Sequence, residues 1–227
     1  MPSSFHDALP VVLPFVIGLG PQSVLDVGVG FGKYGFLFRE YLDVGGADQA
    51  RPFDPGTRRV RIDGIEAHLP YVTELQRMIY DTIHVGEALE RLPRLGRYDL
   101  VFAADVLEHF TRAGGDALLA ACAAVANLGV LIVTPALDIH QGAAFGNLHE
   151  IHRSFWTPAD FAGIPSADVL VWRRQLIAFL PSDGVRRSLP RPTLREAAGL
   201  VLRACLARAV GPVRSEVWLQ RVRHQRG

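Results

Sequence analysis

The sequence predicts an α/β domain: a doubly wound, mostly parallel sheet of about seven strands with helices on both faces, plus a C-terminal helical extension. Three observations predict it. Short apolar runs alternate with stretches of helical periodicity through the first 135 residues, as strands joined by crossover helices do. The run from Arg97 to Asp105 has a continuous apolar centre, which suits a strand covered on both faces. A cluster of glycines at 28, 30, 32 and 35 follows the first run, where such sheets receive ligands. With 227 residues, 49% of them hydrophobic, the chain can bury a sizeable core.

The elements can be justified in order. Residues 8–20, ALPVVLPFVIGLG, read as a short helix packed on the domain. They hold two prolines and are too few to span a membrane. Residues 23–28 form the first strand. Lys33 to Leu42 reads as helix, with Tyr34, Leu37, Phe38 and Tyr41 at helical spacing. Residues 43–59 are rich in Gly, Pro, Asp and Arg and read as a surface insertion. Strand two is expected over 59–66, a helix over Pro70 to Met78 with proline in its first turn, and strand three over 81–86. A brief helix at 87–92 precedes strand four at 97–105. An alanine-rich helix from Gly115 to Asn127 leads to strand five at 128–135, which a proline stops. A long connection fills 136–157, and Thr157-Pro158 marks a helix start. VLVWRR (169–174) and QLIAFL (175–180) read as two last strands, with a weakly marked turn between them.

The stretch SVLDVGVGFGKYG (23–35) admits two frames. A dinucleotide GxGxxG matches at Gly30, Gly32 and Gly35, but it begins two residues past the strand end. The alternative frame is Asp26-x-Gly28-x-Gly30-x-Gly32. In that frame the sequence resembles the class I methyltransferases that use S-adenosylmethionine (SAM). In that family the motif ends strand one and wraps the amino-acid part of SAM. The resemblance recurs in DGIEAH (63–68), VGEAL (85–89) and YDLVFAADVLEHF (98–110), and it covers roughly residues 20–180. It implies that Asp26, Gly28, Gly30 and Gly32 hold the amino-acid part and that Glu66 binds both ribose hydroxyls. It also implies that Glu87 lies near adenine and Asp105 lies at the cofactor edge. One carboxylate can accept from two hydroxyls, which suits Glu66 to a ribose.

Methyl transfer from SAM is an in-line displacement at an already activated methyl group. The protein's work is then positioning, with a base needed only if the acceptor must lose a proton. Candidates for that work are Glu108 and His109 after strand four, and His149 and His152 in FGNLHEIHRSFW (145–156). Four of the eight histidines fall between 109 and 152, a suitable supply of general bases near neutral pH. Phe145, Phe155 and Trp156 are candidates to wall an acceptor pocket. Lys33 and Tyr34 follow the glycines and can reach the cofactor carboxylate.

A second resemblance is to the metal-dependent methyltransferases that 2′-O-methylate the 3′ ends of small RNAs. It rests on Asp105-x-x-Glu108-His109 and on His152-Arg-Ser-Phe-Trp156. It implies a divalent metal on Asp105, Glu108, His109 and His152, although the first acid here is aspartate where that family has glutamate. Segments of the VLEH type also occur in methyltransferases without a metal, and a metal-free site is the expectation carried forward.

Net charge is +1 but unevenly spread. Residues 186–227 carry ten arginines against Glu196 and Glu216, while the first 185 residues hold 14 basic and 21 acidic side chains. The expected division is 1–185, a SAM-binding domain, and 186–227, a basic extension with an amphipathic helix from Thr193 to Val210. The acidic body favours a small-molecule or glycan acceptor. The arginine-rich tail keeps nucleic acid or a peripheral membrane surface open as partners. Cys122 and Cys205 form no CxxC pair and read as buried thiols of a reducing compartment. The first Lys or Arg is Lys33, so the positive segment of an export signal is not seen before the apolar stretch, and a cytoplasmic protein is expected. Oligomeric state is left open.

Overall fold

The computed structural model describes residues 4–43, 56, 58–144 and 146–191. The contacts divide the chain into one unit of Met1–Leu189 and another of Pro190–Gly227. Cys205, Phe145 and the Thr193–Val210 helix lie outside the described residues.

A helix α1 (Leu9–Leu19) precedes strand β1 (Ser23–Val27). Helix α2 (Lys33–Phe38), strand β2 (Arg61–Glu66), helix α3 (Glu74–Ile79) and strand β3 (Thr82–Val85) follow. Next come α4 (Ala88–Arg91), β4 (Tyr98–Ala104), α5 (Arg112–Val125) and β5 (Ala126–Pro135), then β6 (Asp168–Trp172) and β7 (Gln175–Pro181). The strands form one seven-stranded sheet in the order β3-β2-β1-β4-β5-β7-β6. Five strands run parallel, and β7 enters antiparallel beside β5 and pairs with β6 as a hairpin. The fold expected from the sequence is therefore present.

Both faces of the sheet are covered, and the period of two in the strands separates them. Along β4, Leu100 and Phe102 pack in one layer with Phe15, Phe38 and Phe179. Val101 and Ala103 pack in the other with Leu118, Cys122 and Trp156. Cys122 is fully buried and unpaired. Among the described residues no helix is long and apolar enough to cross a membrane.

Several boundaries differ from the sequence expectation, each for a local reason. The α2 helix passes at Arg39 into a π-helical turn over Arg39–Asp43. The Arg39 side chain is 1% exposed and reaches the carbonyls of Val60 and Ile79 and the carboxylates of Asp43 and Asp81. Leu69-Pro70-Tyr71 makes only a 3-10 turn, and α3 starts later, where Thr73 and Gln76 form a capping box. The α5 helix begins at Arg112 rather than Gly115, because Thr111 caps it by accepting from the Gly114 N–H. Thr157-Pro158 opens a single 3-10 turn, Pro158–Phe161, and not a longer helix. The last hairpin turns at Arg173 and Arg174, with Arg173 at a φ of 56°.

Candidate functional site

Register places the site. Val27 pairs with Ile65 on one side and Ala103 on the other. The next residues, Gly28, Glu66 and Ala104, therefore emerge at one level of the carboxyl edge. Strand order reverses between β1 and β4, and this is where open α/β sheets hold ligands. Two adjoining cavities of about 260 and about 530 Å³ lie there, sharing Gly28, Gly30, Asp105, His109 and Glu150. Their sizes suit a cofactor-sized ligand.

The glycine turn is held from below. Gly28, Gly30 and Gly32 have φ of 82°, 50° and 78°, where a side chain is strained. A Cβ on Gly28 would also stand 2.3 Å from Val106. The Gly28 and Val29 N–H groups donate to the Ile65 carbonyl, and Gly32 N–H to the Val29 carbonyl. Gly30 N–H donates to Glu66 Oε2 at 2.9 Å. Four of the turn's N–H groups are thus spent inside the fold, not aimed outward as a pyrophosphate requires. Gly35, the last glycine of the dinucleotide frame, has a packing role: a Cβ there would collide with Tyr80 at 2.2 Å.

That packing brings in a residue the sequence reading missed. Tyr80 OH donates to Asp26 Oδ2 at 2.5 Å. Asp26 is 3% exposed, and burial pushes its carboxyl up to about 7, with Tyr80 opposing and the Glu66 charge adding to the rise. No local pattern announces a contact between residues 54 positions apart. Glu66 lies at the end of β2, buried, and its other oxygen accepts from His68 N–H at 2.8 Å. Burial raises its pKa, and these backbone bonds hold the rise in check.

Glu87 and His149 meet each other. His149 Nδ1 lies 3.3 Å from Glu87 Oε1, both side chains nearly half exposed, at the rim of the larger cavity. His149 does not join the other two candidate histidines in the smaller cavity.

Glu108, His109 and His152 converge there. Each offers a ligand atom, all within 4.8 Å of one another. His109 Nδ1 faces the Ile151 carbonyl at 3.3 Å, and His152 Nδ1 faces the Ile139 carbonyl at 2.6 Å. That leaves the other nitrogen of each ring for a ligand, the arrangement that orients metal-binding imidazoles. Burial pushes His109 down to about 4, and the neighbouring His152 adds to the fall. Glu108 Oε2 accepts from Thr134 Oγ1 at 2.9 Å, and Oε1 has no partner among the described residues. Burial raises the Glu108 pKa, and the Asp105 charge adds to it. The Glu108 carbonyl accepts from the Arg153 and Ser154 N–H groups, which ties the long connection to the edge of β4.

Asp105 is not part of that trio. It follows β4 at a φ of 52°, and burial raises its pKa. Lys33, Ser4, Phe5 and Gln175 stand close enough to oppose the rise, yet among the described residues neither carboxylate oxygen has a partner in hydrogen-bonding geometry. Trp156 belongs to the core and not to an acceptor wall. It is 1% exposed, lies against Gly115 and carries the Arg112 guanidinium 3.8 Å from its ring centroid. Phe155 is partly exposed, and neither residue lines the two cavities.

No family model matches the chain, and no curated protein matches its sequence. Solved structures do resemble it. The methyltransferase domain of bacterial CtHen1 superposes with a TM-score of 0.53 at 17% identity, covering 78% of this chain and 98% of that one. A SAM-dependent methyltransferase from Archaeoglobus fulgidus gives 0.52 at 12% identity, covering 75% and 90%. The N-terminal domain of EvdMO1, solved in the presence of SAH and D-fucose, gives 0.51 at 17% identity, covering 79% and 84%. The chain has the fold of the class I SAM-dependent methyltransferases.

Proposed function

We propose that this chain is a SAM-dependent methyltransferase that moves a methyl group to an oxygen or nitrogen of a small molecule or a sugar. The observation that carries the reading is the charge of the crevice at the switch point. Asp26, Glu66, Asp105, Glu108 and Glu150 line it, and two of these carboxylates have unpartnered buried oxygens. Such a crevice suits a cofactor with a sulfonium and an ammonium. It suits a pyrophosphate poorly, all the more because four of the turn's N–H groups are spent inside the fold. Glu66, at the ribose position, keeps free lone pairs on both oxygens beside its backbone bonds. Resemblance to a domain solved in the presence of SAH and D-fucose supports both the cofactor and a sugar-like acceptor. A cytoplasmic setting belongs to the same reading and fits the free thiol of Cys122.

The test is calorimetric titration with SAM, S-adenosylhomocysteine (SAH) and NADH, with Glu66→Ala alongside. Adenosyl ligands should bind and the variant should lose them. Response to NADH alone would refute the reading. Binding without turnover on any acceptor pool would leave a SAM-binding module and no enzyme.

One observation favours a second form of the reading. Glu108, His109 and His152 fit a divalent cation by donor type and by convergence, with each imidazole held at Nδ1 by a carbonyl. A cation there would supply a Lewis acid beside the acceptor oxygen. Titration with Mn(II), and its loss in His152→Ala, separates the two forms.

A further inference from the structure

The charges lining the smaller cavity do not balance. Asp26, Asp105, Glu108 and Glu150 line it, and among the described residues Lys33 is the cation that faces them. Asp26 is engaged by the Tyr80 hydroxyl. The Lys33 ammonium donates to the Ser4 carbonyl. Asp105, Glu108 and Glu150 remain.

Hydrogen-bonding capacity is uneven in the same sense. Glu108 is 3% exposed, and its Oε1 has no partner among the described residues. Asp105 has none at either oxygen. Glu150 Oε1 meets only a long bond, 3.5 Å from Asn147 Nδ2. The donors nearby are committed elsewhere. Gln141 Nε2 donates to the Glu150 backbone carbonyl at 2.8 Å. The Nδ1 atoms of His109 and His152 face carbonyls, so a neutral ring at either place keeps only an acceptor, Nε2. Phe5, Phe31, Pro135, Ile139 and Ala144 complete an apolar part of the lining and add no side-chain donor. Burial raises the pKa of both Asp105 and Glu108, a cost that a cation beside them relieves.

We propose that the smaller cavity takes its methyl acceptor as an ammonium: the substrate is a small amine, and the methyl group goes to its nitrogen. The inference rests on the SAM reading above and narrows it. SAM brings one net positive charge, a sulfonium and an ammonium against one carboxylate. Together with Lys33 it offsets two of the three carboxylates and leaves one. An ammonium cancels that one. It also carries donors and no acceptor, which matches a lining that presents acceptors. A hydroxyl brings one donor and no charge. The cavity of about 260 Å³ must also admit the reacting end of the cofactor, so the amine is small. In the transfer the ammonium first loses one proton to water. The nitrogen lone pair then forms the N–C bond, and the S–C bond breaks with its electron pair passing to sulfur. The products are SAH, the N-methylated ammonium and the released proton.

The experiment titrates SAH into the protein in the presence of EDTA. The SAH complex is then titrated with matched pairs: benzylamine and benzyl alcohol, butylamine and butanol, glucosamine and glucose. At least one amine should bind about tenfold or more tighter than its alcohol, the worth of one charge-assisted bond. That amine should also accept labelled methyl from SAM. Glu108→Gln keeps an acceptor for Thr134 and should cut the preference for the amine to within about threefold. Asp105→Asn, which suits a φ of 52°, is the second variant and should cut it likewise. A merely structural role would weaken amine and alcohol alike, and that result in both variants would overturn the proposal. So would equal affinities in every pair, binding of an amine without transfer, or a response that appears only when Mn(II) is added. Each of those leaves the SAM reading standing. Failure of SAH itself to bind would sink both.

Discussion

Asp26 should make the stability of the empty protein depend on pH in an unusual direction. Its pKa is about 7 in the fold, against an ordinary value of 3.8. The folded state therefore binds the proton more tightly than the unfolded chain does. That contribution to stability is fully present below about pH 4 and is lost as pH rises to about 7. A shift of about three units corresponds to roughly 4 kcal/mol over the whole range. Between pH 5.5 and pH 8 the loss amounts to about 2 kcal/mol. Asp26→Asn removes the titration while keeping an acceptor for the Tyr80 hydroxyl. Urea unfolding of both proteins at both pH values isolates the effect, since most other titrating groups are common to the pair. Asp26→Asn should gain about 2 kcal/mol relative to wild type on going from pH 5.5 to 8, about 4–8 °C in melting temperature. A gap constant within about 0.5 kcal/mol would mean that Asp26 titrates normally and that burial does not govern it.

Three further outcomes follow from the same geometry. Tyr80→Phe removes the hydroxyl donor to Asp26 and should move the midpoint of that pH dependence upward by about one unit; an unmoved midpoint would deny the bond its role. Gly28→Ala forces a side chain to a φ of 82° and against Val106, so it should cost about 2–3 kcal/mol, with partial recovery in the double variant carrying Val106→Ala. A melt identical to wild type would refute that. Glu87→Gln should change stability by less than about 0.5 kcal/mol, because its partner His149 and the pair itself are half exposed; a larger drop in a thermal melt would show a stronger clasp.

Strands β4, β5 and β7 were legible because they are buried and read as nearly continuous apolar runs. Glu66 and the 28-30-32 glycines were legible because a strand end and a turn are short-range patterns. Other features depended on contacts that no local pattern encodes. Arg39 reads as a surface arginine on a helix, yet it is buried against the carbonyls of Val60 and Ile79. Trp156 sits beside candidate site residues in sequence but packs on Gly115 of α5 in the core. The hairpin of β6 and β7 was visible, but the insertion of β7 between β5 and β6 was not. Ser4 and Phe5 line the smaller cavity, and Asp7 beside them accepts from two arginines more than 160 positions away.

The bond from Gly30 N–H to Glu66 has a kinetic meaning. The turn beside the proposed cofactor is already closed by a side chain of the neighbouring strand, so little chain entropy remains to be lost if a ligand binds there. Association should then proceed near the rate of encounter, without a slow ordering phase. The Gly30 amide, tied to a buried carboxylate, should exchange its hydrogen as slowly in the empty protein as the strands beneath it. Such a cradle is finished before its guest comes, and selectivity is left to whichever groups around it are still free to move.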